Sequence, residues 1–193
     1  MIEPFLGLIV FVVLMVATPG PANLLVMIGG AQLGLRGCIG FILGLVSGKL
    51  LLNIAFGVGL GVFLTNQPEL LAVIKYAGAA YMAWLTLRSW NAATTIEVDK
   101  GHFRFRHGVP VHPLNPKAWV MTVLAWTQFA PDLGPFAVQL VFVPLCFAAC
   151  QILFHSLWCW LGEIMARALP NSLLMTRSLV LLTLAVVIWA LTQ

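Results

Sequence analysis

Six long apolar stretches, separated by short polar segments, dominate the pattern along the chain. They cover, approximately, Pro4–Ile28, Gly37–Phe63, Leu70–Trp90, Val109–Ala130, Phe136–Leu161 and Leu173–Leu191. Each stretch is long enough to cross a bilayer as a helix of about 20 residues. Backbone amides in lipid need partners within their own segment, so the pattern predicts six transmembrane helices in an all-α integral membrane protein. A barrel is excluded because the stretches are continuous, whereas barrel strands are short and alternate.

Positive charges alternate between the loops that join these stretches. The loops after the first, third and fifth stretches carry Arg36, Lys100, Arg104, Arg106 and Arg167. The other two loops carry Glu69 and Asp132 and no Lys or Arg. Cytoplasmic loops of membrane proteins are enriched in Lys and Arg, so this alternation predicts that both termini lie outside. The expected location is the cell inner (plasma) membrane, which the chain crosses several times.

The polar segment at residues 91–108 divides the single transmembrane domain (residues 1–193) into two halves. Repeat 1 covers about residues 1–90 and repeat 2 about residues 109–193, with three spans in each. An odd number of spans per half gives the halves opposite orientations, as in many secondary transporters with inverted-topology repeats. Direct sequence similarity between the halves is weak, so this prediction of a 3+3 repeat rests on topology.

Composition supports the membrane assignment and excludes other classes. Of the 193 residues, 61% are hydrophobic and 8% are charged, whereas soluble domains have about 45–50% and about 25%. The net charge of +4 is attributed to orientation in the membrane and not to nucleic-acid binding, because several basic residues lie inside apolar stretches. The four cysteines form no CxxC pair or Cys/His cluster, so neither a metal nor a cofactor is expected.

The strongest local signal is the segment Thr18-Pro19-Gly20-Pro21 inside the first stretch. Pro19 and Pro21 donate no amide hydrogen, so the carbonyls near Met15 and Ala17 lose their helical partners. In lipid these carbonyls need protein, water, an ion or substrate as partners. The helix that begins after Pro21 favours an anionic group at its N-terminus. The segment is therefore either part of a substrate site or a packing kink satisfied by neighbouring helices.

A second proline-containing segment, Asn115-Pro116-Lys117, lies early in the fourth stretch. Pro116 frees the carbonyl near His112. Lys117 is expected to bind either that carbonyl or a substrate carboxylate, the alternative being a lysine that extends to the cytoplasmic interface. Both proline-containing segments lie nearer the cytoplasmic face, so we expect them to meet at a similar depth.

Two ionisable side chains lie deep within apolar stretches. Lys49 lies near the centre of the second stretch, with Asn53 one turn later, and His155 lies deep in the fifth stretch. A charge at this depth is expected to face the protein interior. Lys49 and Asn53 therefore belong either to a substrate or proton-coupling site or to a structural hydrogen bond with freed carbonyls. His155 is either a proton relay, because imidazole titrates near neutral pH, or an ordinary core histidine.

A stripe of small residues, Gly40, Gly44 and Gly48, recurs every four residues along the second stretch. Such a stripe permits close approach of two helices in a membrane. It serves packing either within one chain or between the two chains of a homodimer.

Three segments of this sequence together resemble the lysine-exporter (LysE/RhtB) family of amino-acid efflux proteins. They are "ATPGPANLLVMIGGAQLGLRGCIGFILGLVSG", "LLAVIKYAGAAYMAWLTLRSW" and "LNPKAWVMTVLAWTQFAP". The resemblance covers most of the first half and the fourth stretch, and it fades beyond them. It implies functional roles for Pro19, Gly20, Pro21, Asn23, Lys75, Tyr81, Asn115, Pro116 and Lys117. This chain departs from the pattern at Lys49, where many relatives carry an acidic residue, and the departure argues against a basic substrate such as lysine.

The expected function is export of amino acids or small amino-acid derivatives from the cytoplasm by proton antiport. The positive helix end with Lys117 or Lys49 is expected to hold the carboxylate, and freed carbonyls with Asn23 or Asn115 the ammonium group. The alternative is a channel or a cation exporter, and less favoured is an intramembrane enzyme with His155 as its base. The sequence contains no GxSxG or HExxH motif, so no catalytic residue is predicted.

Overall fold

The structure is a computed structural model, and it describes residues 2–60, 63, 66–91 and 103–191. Helices account for all the regular structure among these residues: α1 (Glu3–Ala17), α2 (Pro21–Gly57), α3 (Pro68–Leu87), α4 (Phe105–Gly108), α5 (Pro116–Leu124), α6 (Phe136–Ala168) and α7 (Leu173–Leu191). A π-helical turn (Ala125–Phe129) and a 3-10 turn (Ala130–Leu133) extend α5. The predicted all-α class is confirmed. Residues 92–102 of the predicted polar loop, with Lys100, lie outside the described residues.

Prolines set the boundaries of the helices around both predicted breaks. Helix α1 ends at Ala17, and α2 begins at Pro21, the first position of a helix, where a proline costs no hydrogen bond. Helix α5 likewise begins at Pro116, and the Oδ1 atom of Asn115 accepts a hydrogen bond from the backbone N–H of Lys117 at 3.1 Å. Asn115 is therefore an N-cap, which satisfies one of the free amides at this helix end.

Helix α2 reverses direction at Gly34, which has φ 66° and ψ 173°. This conformation is open to glycine and rare for other residues. Three contacts of α2 with α6 follow one another along the chain: Asn23 with His155, Leu35 with Glu163, and Lys49 with Phe147. The residue numbers of these partners on α6 increase from 155 to 163 and then decrease to 147. Residues 21–33 and 35–57 therefore form two helices that run along α6 in opposite directions.

Among the residues that the structure describes, four helices, α2, α3, α6 and α7, are long and apolar enough to cross a membrane, whereas six transmembrane helices were predicted. Helix α1 has 15 residues, or about 22 Å at about 1.5 Å per residue, and α5 has nine. The fourth predicted span, Val109–Ala130, is helical only from Pro116 onward, because residues 109–114 form turns. Prolines at positions 110, 113 and 116 remove the amide donors that a continuous helix would need there.

The glycine stripe packs inside the chain. A Cβ atom on Gly44 would lie 2.1 Å from the carbonyl oxygen of Phe105, and one on Gly48 would lie 2.0 Å from that of Val109. The glycines therefore allow the backbone of residues 105–109 to pack directly against α2. Since this packing lies within one chain, the stripe gives no support to a homodimer. Helices α2 and α6 cross equally closely at Gly30, where a Cβ atom would lie 1.9 Å from the carbonyl oxygen of Cys159.

Replacing Gly48 with Ala is expected to destabilise the fold by about 1–3 kcal/mol, because the added methyl group must displace a backbone carbonyl. The matched control is Gly40→Ala in the same stripe, where the new Cβ atom meets its nearest neighbour, the backbone nitrogen of Phe105, at an ordinary 3.6 Å. Thermal unfolding of the two purified variants in detergent measures the difference. Equal melting temperatures would contradict this account of the stripe.

The molecule is apolar outside and polar at its centre. Large apolar side chains are exposed along the outer faces of several helices, among them Leu14, Leu51, Val73, Leu145 and Ile188. Polar side chains are buried in the interior: Asn23, Lys49, Asn53, Thr122, Gln151 and His155. Lipid solvates an apolar surface at no cost, whereas polar groups in a membrane protein face its interior. This distribution supports the predicted integral membrane protein.

Candidate functional site

The two proline-containing breaks meet, and Lys117 joins them. Its Nζ atom donates to the carbonyl oxygen of Thr18 at 3.0 Å, to the hydroxyl of Thr18 at 2.8 Å and to the carbonyl oxygen of Pro19 at 3.3 Å. The two breaks are therefore in contact, as expected. The carbonyl of His112, which was one expected partner of Lys117, instead accepts from the backbone N–H of Asn115 at 3.1 Å.

The carbonyls freed by the first break are satisfied by the protein. The Nδ2 atom of Asn23 donates to the carbonyl oxygens of Val16 at 2.8 Å and Thr18 at 2.9 Å. The indole of Trp158 donates to the carbonyl of Ala17 at 3.2 Å. The sequence predicted either a substrate site or a packing kink satisfied by neighbouring helices. The hydrogen bonds of these carbonyls agree with the packing kink. The polar groups available to a ligand lie elsewhere around the break.

A buried polar cluster extends from Asn23 into α6. The Oδ1 atom of Asn23 lies 2.9 Å from Nδ1 of His155, whose Nε2 atom lies 3.3 Å from Nε2 of His112. The Nε2 atom of Gln151 lies 3.1 Å from the same nitrogen of His112. The two imidazole rings are stacked with centroids 5.5 Å apart. Two atoms of the cluster, Nδ1 of His112 and Oε1 of Gln151, are buried without a hydrogen-bond partner in the described structure.

A cavity of about 20 Å³ lies between these groups and the two breaks. It is lined by residues from α1, α2, α5 and α6 and from the break segments: Met15, Val16, Gly20, Ala22, Asn23, His112, Asn115, Lys117, Ala118, Met121, Gln151 and His155. A water molecule needs about 10–15 Å³ in this measure, so the cavity holds about one. Lys117 lines one side of the cavity, His112, Gln151 and His155 of the imidazole cluster line another, and the remaining walls are largely apolar.

Five predicted site residues line this cavity: Gly20, Asn23, Asn115, Lys117 and His155. Two others are adjacent, because the carbonyl of Pro19 accepts from Lys117 and Pro21 is the buried first residue of α2. Gly20 leaves room for the lysine, since a Cβ atom there would lie 3.2 Å from its Nζ atom. The remaining predicted residues do not line it: Lys49, Asn53, Lys75, Tyr81 and Pro116.

Lys49 has a different environment from the one expected. It is fully buried, and its Nζ atom donates to the carbonyl of Ala118 at 2.9 Å and to the hydroxyl of Thr122 at 2.6 Å. The ammonium group also lies 4.2 Å from the ring centre of Phe147. The lysine therefore joins α2 to α5 and α6, and it bonds a carbonyl of α5 rather than one at the first break.

Asn53, Tyr81 and Pro116 also lie away from the cavity. Asn53 donates to the carbonyl of Lys49 at 3.0 Å and accepts from the indole of Trp126 at 3.3 Å. The hydroxyl of Tyr81 donates to the carbonyl of His107 at 2.8 Å, which holds α3 against α4. Pro116 lines a separate, largely apolar cavity of about 230 Å³ between α3 and α5. These side chains stabilise the framework around the site.

Sequence analysis missed His112 and Gln151 as site residues. His112 is five per cent exposed and Gln151 one per cent. Gln151 lies one turn before His155 on α6, so both side chains share a helix face, and this spacing was an available signal. His112 lies in the irregular segment before Asn115, where no helical periodicity assigns a direction to a side chain. No group of three or more His, Cys, Asp or Glu side chains converges in the described parts of the chain.

Comparison with known proteins identifies relatives. The chain is 30% identical over 129 residues to a homoserine/homoserine lactone efflux protein of Salmonella typhimurium, a match that covers 63% of this chain and 62% of that protein. It is 27% identical over 156 residues to a leucine efflux protein of Salmonella choleraesuis, covering 73% and 74%. A membrane protein of Vibrio cholerae is 28% identical over 134 residues, covering 66% and 65%. No solved structure matches the chain.

The family assignment rests on a match along most of the chain. The sequence profile of the LysE type translocators matches residues 13–192. This match includes both breaks, the polar cluster and α7, beyond the region where the resemblance of individual motifs fades. The chain therefore belongs to the LysE type translocator family, which confirms the resemblance.

Proposed function

We propose that this protein exports neutral amino acids or their small derivatives from the cytoplasm by proton antiport. The observation that carries the proposal is the cavity where both helix breaks meet, which combines a cation with a buried polar cluster that contains an unpartnered acceptor. The names of the relatives, which include homoserine, homoserine lactone and leucine efflux proteins, support the substrate class. The match spans only 62% of the first of these relatives. The substrate proposed for this chain therefore depends on the cavity as well as on the relatives' names.

The two charged groups of an amino acid fit opposite sides of the cavity. A carboxylate pairs with Lys117 and with the N-terminus of α2 at Pro21, where backbone amides have no helical partner. An ammonium group needs an acceptor, and Gln151, which lines the cavity, has its Oε1 atom buried without a partner. The sequence analysis expected the freed carbonyls to bind the ammonium group. Asn23 already donates hydrogen bonds to two of them, so they are not available.

The apolar walls indicate the side chain of the substrate. Met15, Val16, Ala22, Ala118 and Met121 provide apolar surface, and no acidic side chain lines the described cavity. A basic side chain such as that of lysine would add a second cation beside Lys117 without an anion to pair with it. A small neutral side chain fits these walls, in agreement with the departure from the family pattern at Lys49.

In this proposal the small cavity represents a closed state of the transport cycle. A cavity that holds about one water molecule is too small for an amino acid, so α1 and α5 must separate to admit one. The bonds between Lys117 and the first break are the contacts that such a movement would break. A carboxylate that pairs with Lys117 compensates for them, so binding of substrate and opening of the contact are coupled.

We propose six crossings in two inverted halves. The reversal of α2 at Gly34 separates two crossings, the first completed by α1, and residues 105–133 provide a second interrupted crossing. Both halves would then begin with a broken helix, which agrees with alternating access by rocking of one half against the other. The alternation of loop charges supports an orientation in the inner membrane with both termini outside.

Transport is tested with inverted membrane vesicles that contain the protein. Inverted vesicles expose the cytoplasmic face, so an exporter driven by protons accumulates radiolabelled leucine and homoserine when the lumen is acidic. We expect this uptake to exceed that of control vesicles several-fold and to collapse when a protonophore removes the gradient. Uptake equal to control vesicles for both amino acids and for homoserine lactone would contradict the proposed function.

A further inference from the structure

A second cavity, of about 230 Å³, lies between α3 and α5 and has no part in the proposed transport site. It lies on a different face of α5 from Lys117, since Pro116 and Trp119 line it, and its wall on α3 includes Leu71 and Lys75. An apolar cavity of about 150 Å³ binds a molecule as large as benzene. This cavity therefore has room for part of an acyl chain.

The cavity opens on the lipid-facing surface of the molecule. All the residues that line it are at least partly exposed, and Val120 is 53% exposed. On α3, Val73 and Tyr76 flank the lining residues Ile74 and Lys75 in sequence, and both are more than half exposed. Exposed apolar side chains of a membrane protein are in contact with acyl chains. Lipid is therefore the molecule that reaches the mouth of this cavity.

Lys75 gives the cavity its charge. It is the one charged side chain among the described residues that line the cavity, and it is half-buried. Within the described parts of the chain it forms no ion pair or hydrogen bond. A cation in apolar surroundings is unfavourable without an anion. The cavity therefore favours a ligand that combines an anionic group with an apolar chain.

The position of Lys75 on α3 matches the position of lipid headgroups. Helix α3 begins at Pro68, so Lys75 lies about 10 Å from this end at about 1.5 Å per residue. Side chains on a helix tilt toward its N-terminus, and the long stem of a lysine lets the ammonium group extend in that direction. In the opposite direction α3 packs directly on the chain, because a Cβ atom on Gly78 would lie 1.6 Å from the carbonyl oxygen of Leu114. An acyl chain therefore enters from the Pro68 end, which faces the outer headgroups in the proposed orientation.

We propose that this cavity binds an anionic phospholipid of the outer leaflet, with the phosphate paired to Lys75 and one acyl chain packed between α3 and α5. The pairing accounts for a cation near the outer surface, where the predicted loops carry Glu69 and Asp132 and no Lys or Arg. The bound chain contacts Pro116 at the start of α5, so it supports the helix that carries Lys117. The site goes beyond the proposed function, because it depends on the orientation of the chain and not on transport.

Trp119 provides the measurement, because it lines the cavity. Bromine atoms on an acyl chain quench tryptophan fluorescence on contact, so the protein is reconstituted in phosphatidylcholine vesicles that contain brominated phosphatidylglycerol or, as the reference, brominated phosphatidylcholine. The quenching that is lost in Trp119→Phe is the share of Trp119. We expect this share to reach half its maximum at an about fivefold lower fraction of brominated phosphatidylglycerol than of brominated phosphatidylcholine. This factor corresponds to about 1 kcal/mol for one basic residue near an anionic lipid.

Variants of Lys75 identify the source of the preference. Lys75→Gln is expected to remove it, so that both brominated lipids quench Trp119 equally, and Lys75→Arg is expected to retain it. Arg88→Gln, at the other end of α3, controls for net charge and is expected to behave as wild type. Equal quenching of Trp119 by the two lipids in the wild type would overturn the proposed site without any variant of Lys75. An unchanged preference in Lys75→Gln would overturn it as well, and neither result affects the proposed function, because no transport is measured.

Discussion

Replacing Lys117 with Met is expected to raise the leucine concentration for half-maximal transport about 10–100-fold. A hydrogen bond between charged groups contributes about 1.5–3 kcal/mol, and each 1.4 kcal/mol is about tenfold in affinity. The substitution keeps the length of the side chain and removes the charge beside Thr18 and Pro19. The carbonyl of Thr18 still accepts from Asn23, so stability is expected to fall much less than substrate affinity. Concentration-dependent uptake into vesicles measures the effect.

Homoserine lactone provides an internal control for this prediction. Its carboxyl group is closed into an ester and carries no charge, so loss of the lysine is expected to affect it far less than leucine. Arg177→Gln removes a cation at the end of the structure near Asn91 and Trp90, and it controls for net charge. Equal losses for leucine and homoserine lactone in Lys117→Met would show that the lysine supports the structure and does not bind the carboxylate.

The sequence was sufficient to predict the features that depend on local backbone chemistry. Pro19, Pro21 and Pro116 lack amide donors, so helix ends at these positions follow from the residue type alone. The same chemistry was underestimated in residues 109–115, where Pro110 and Pro113 preclude the continuous helix that apolar character suggested. Hydrophobicity shows that a segment is buried in lipid or protein, and it does not show that every residue in it is helical.

Long-range geometry was only partly accessible. The contact between Lys117 and Thr18 joins residues 99 positions apart, and only their similar depth could be inferred. Lys49 was expected to belong to the site because a buried charge must face the interior. The interior of a bundle has several sides, however, and Lys49 faces Thr122 and Phe147 instead of the cavity. Depth along a helix follows from sequence position, whereas direction around it depends on how the neighbouring helices pack.

The glycine stripe illustrates the same limit. Its four-residue spacing correctly indicated close approach of backbones, and nothing in that spacing distinguished a partner within the chain from a second copy. The partner is the short helix α4 with the adjoining Val109, which is too short for an apolar periodicity of its own. Only the fold brings that segment to Gly44 and Gly48.

The second large effect is expected at Asn23, the residue that joins the first break to the imidazole cluster. Asn23→Leu leaves the carbonyl of Val16 and Nδ1 of His155 without the partners they have in the structure. Each buried unpaired group costs about 1–3 kcal/mol, so the variant is expected to lose about 2–6 kcal/mol of stability. Thermal unfolding in detergent measures this loss. Thr183→Val, which removes a buried hydroxyl bonded within its own helix to Leu179, is the control and is expected to lose far less.

Asn23→Asp separates stability from transport at this position. The carboxylate still accepts from His155, but it cannot donate to the carbonyls of Val16 and Thr18, where it introduces repulsion. A negative charge 2.9 Å from the imidazole favours a proton on the histidine pair in both directions of the cycle. Folded Asn23→Asp protein is therefore expected to bind a proton and to lose at least tenfold in exchange of leucine. Exchange at the wild-type rate would mean that the cluster does not control access of substrate.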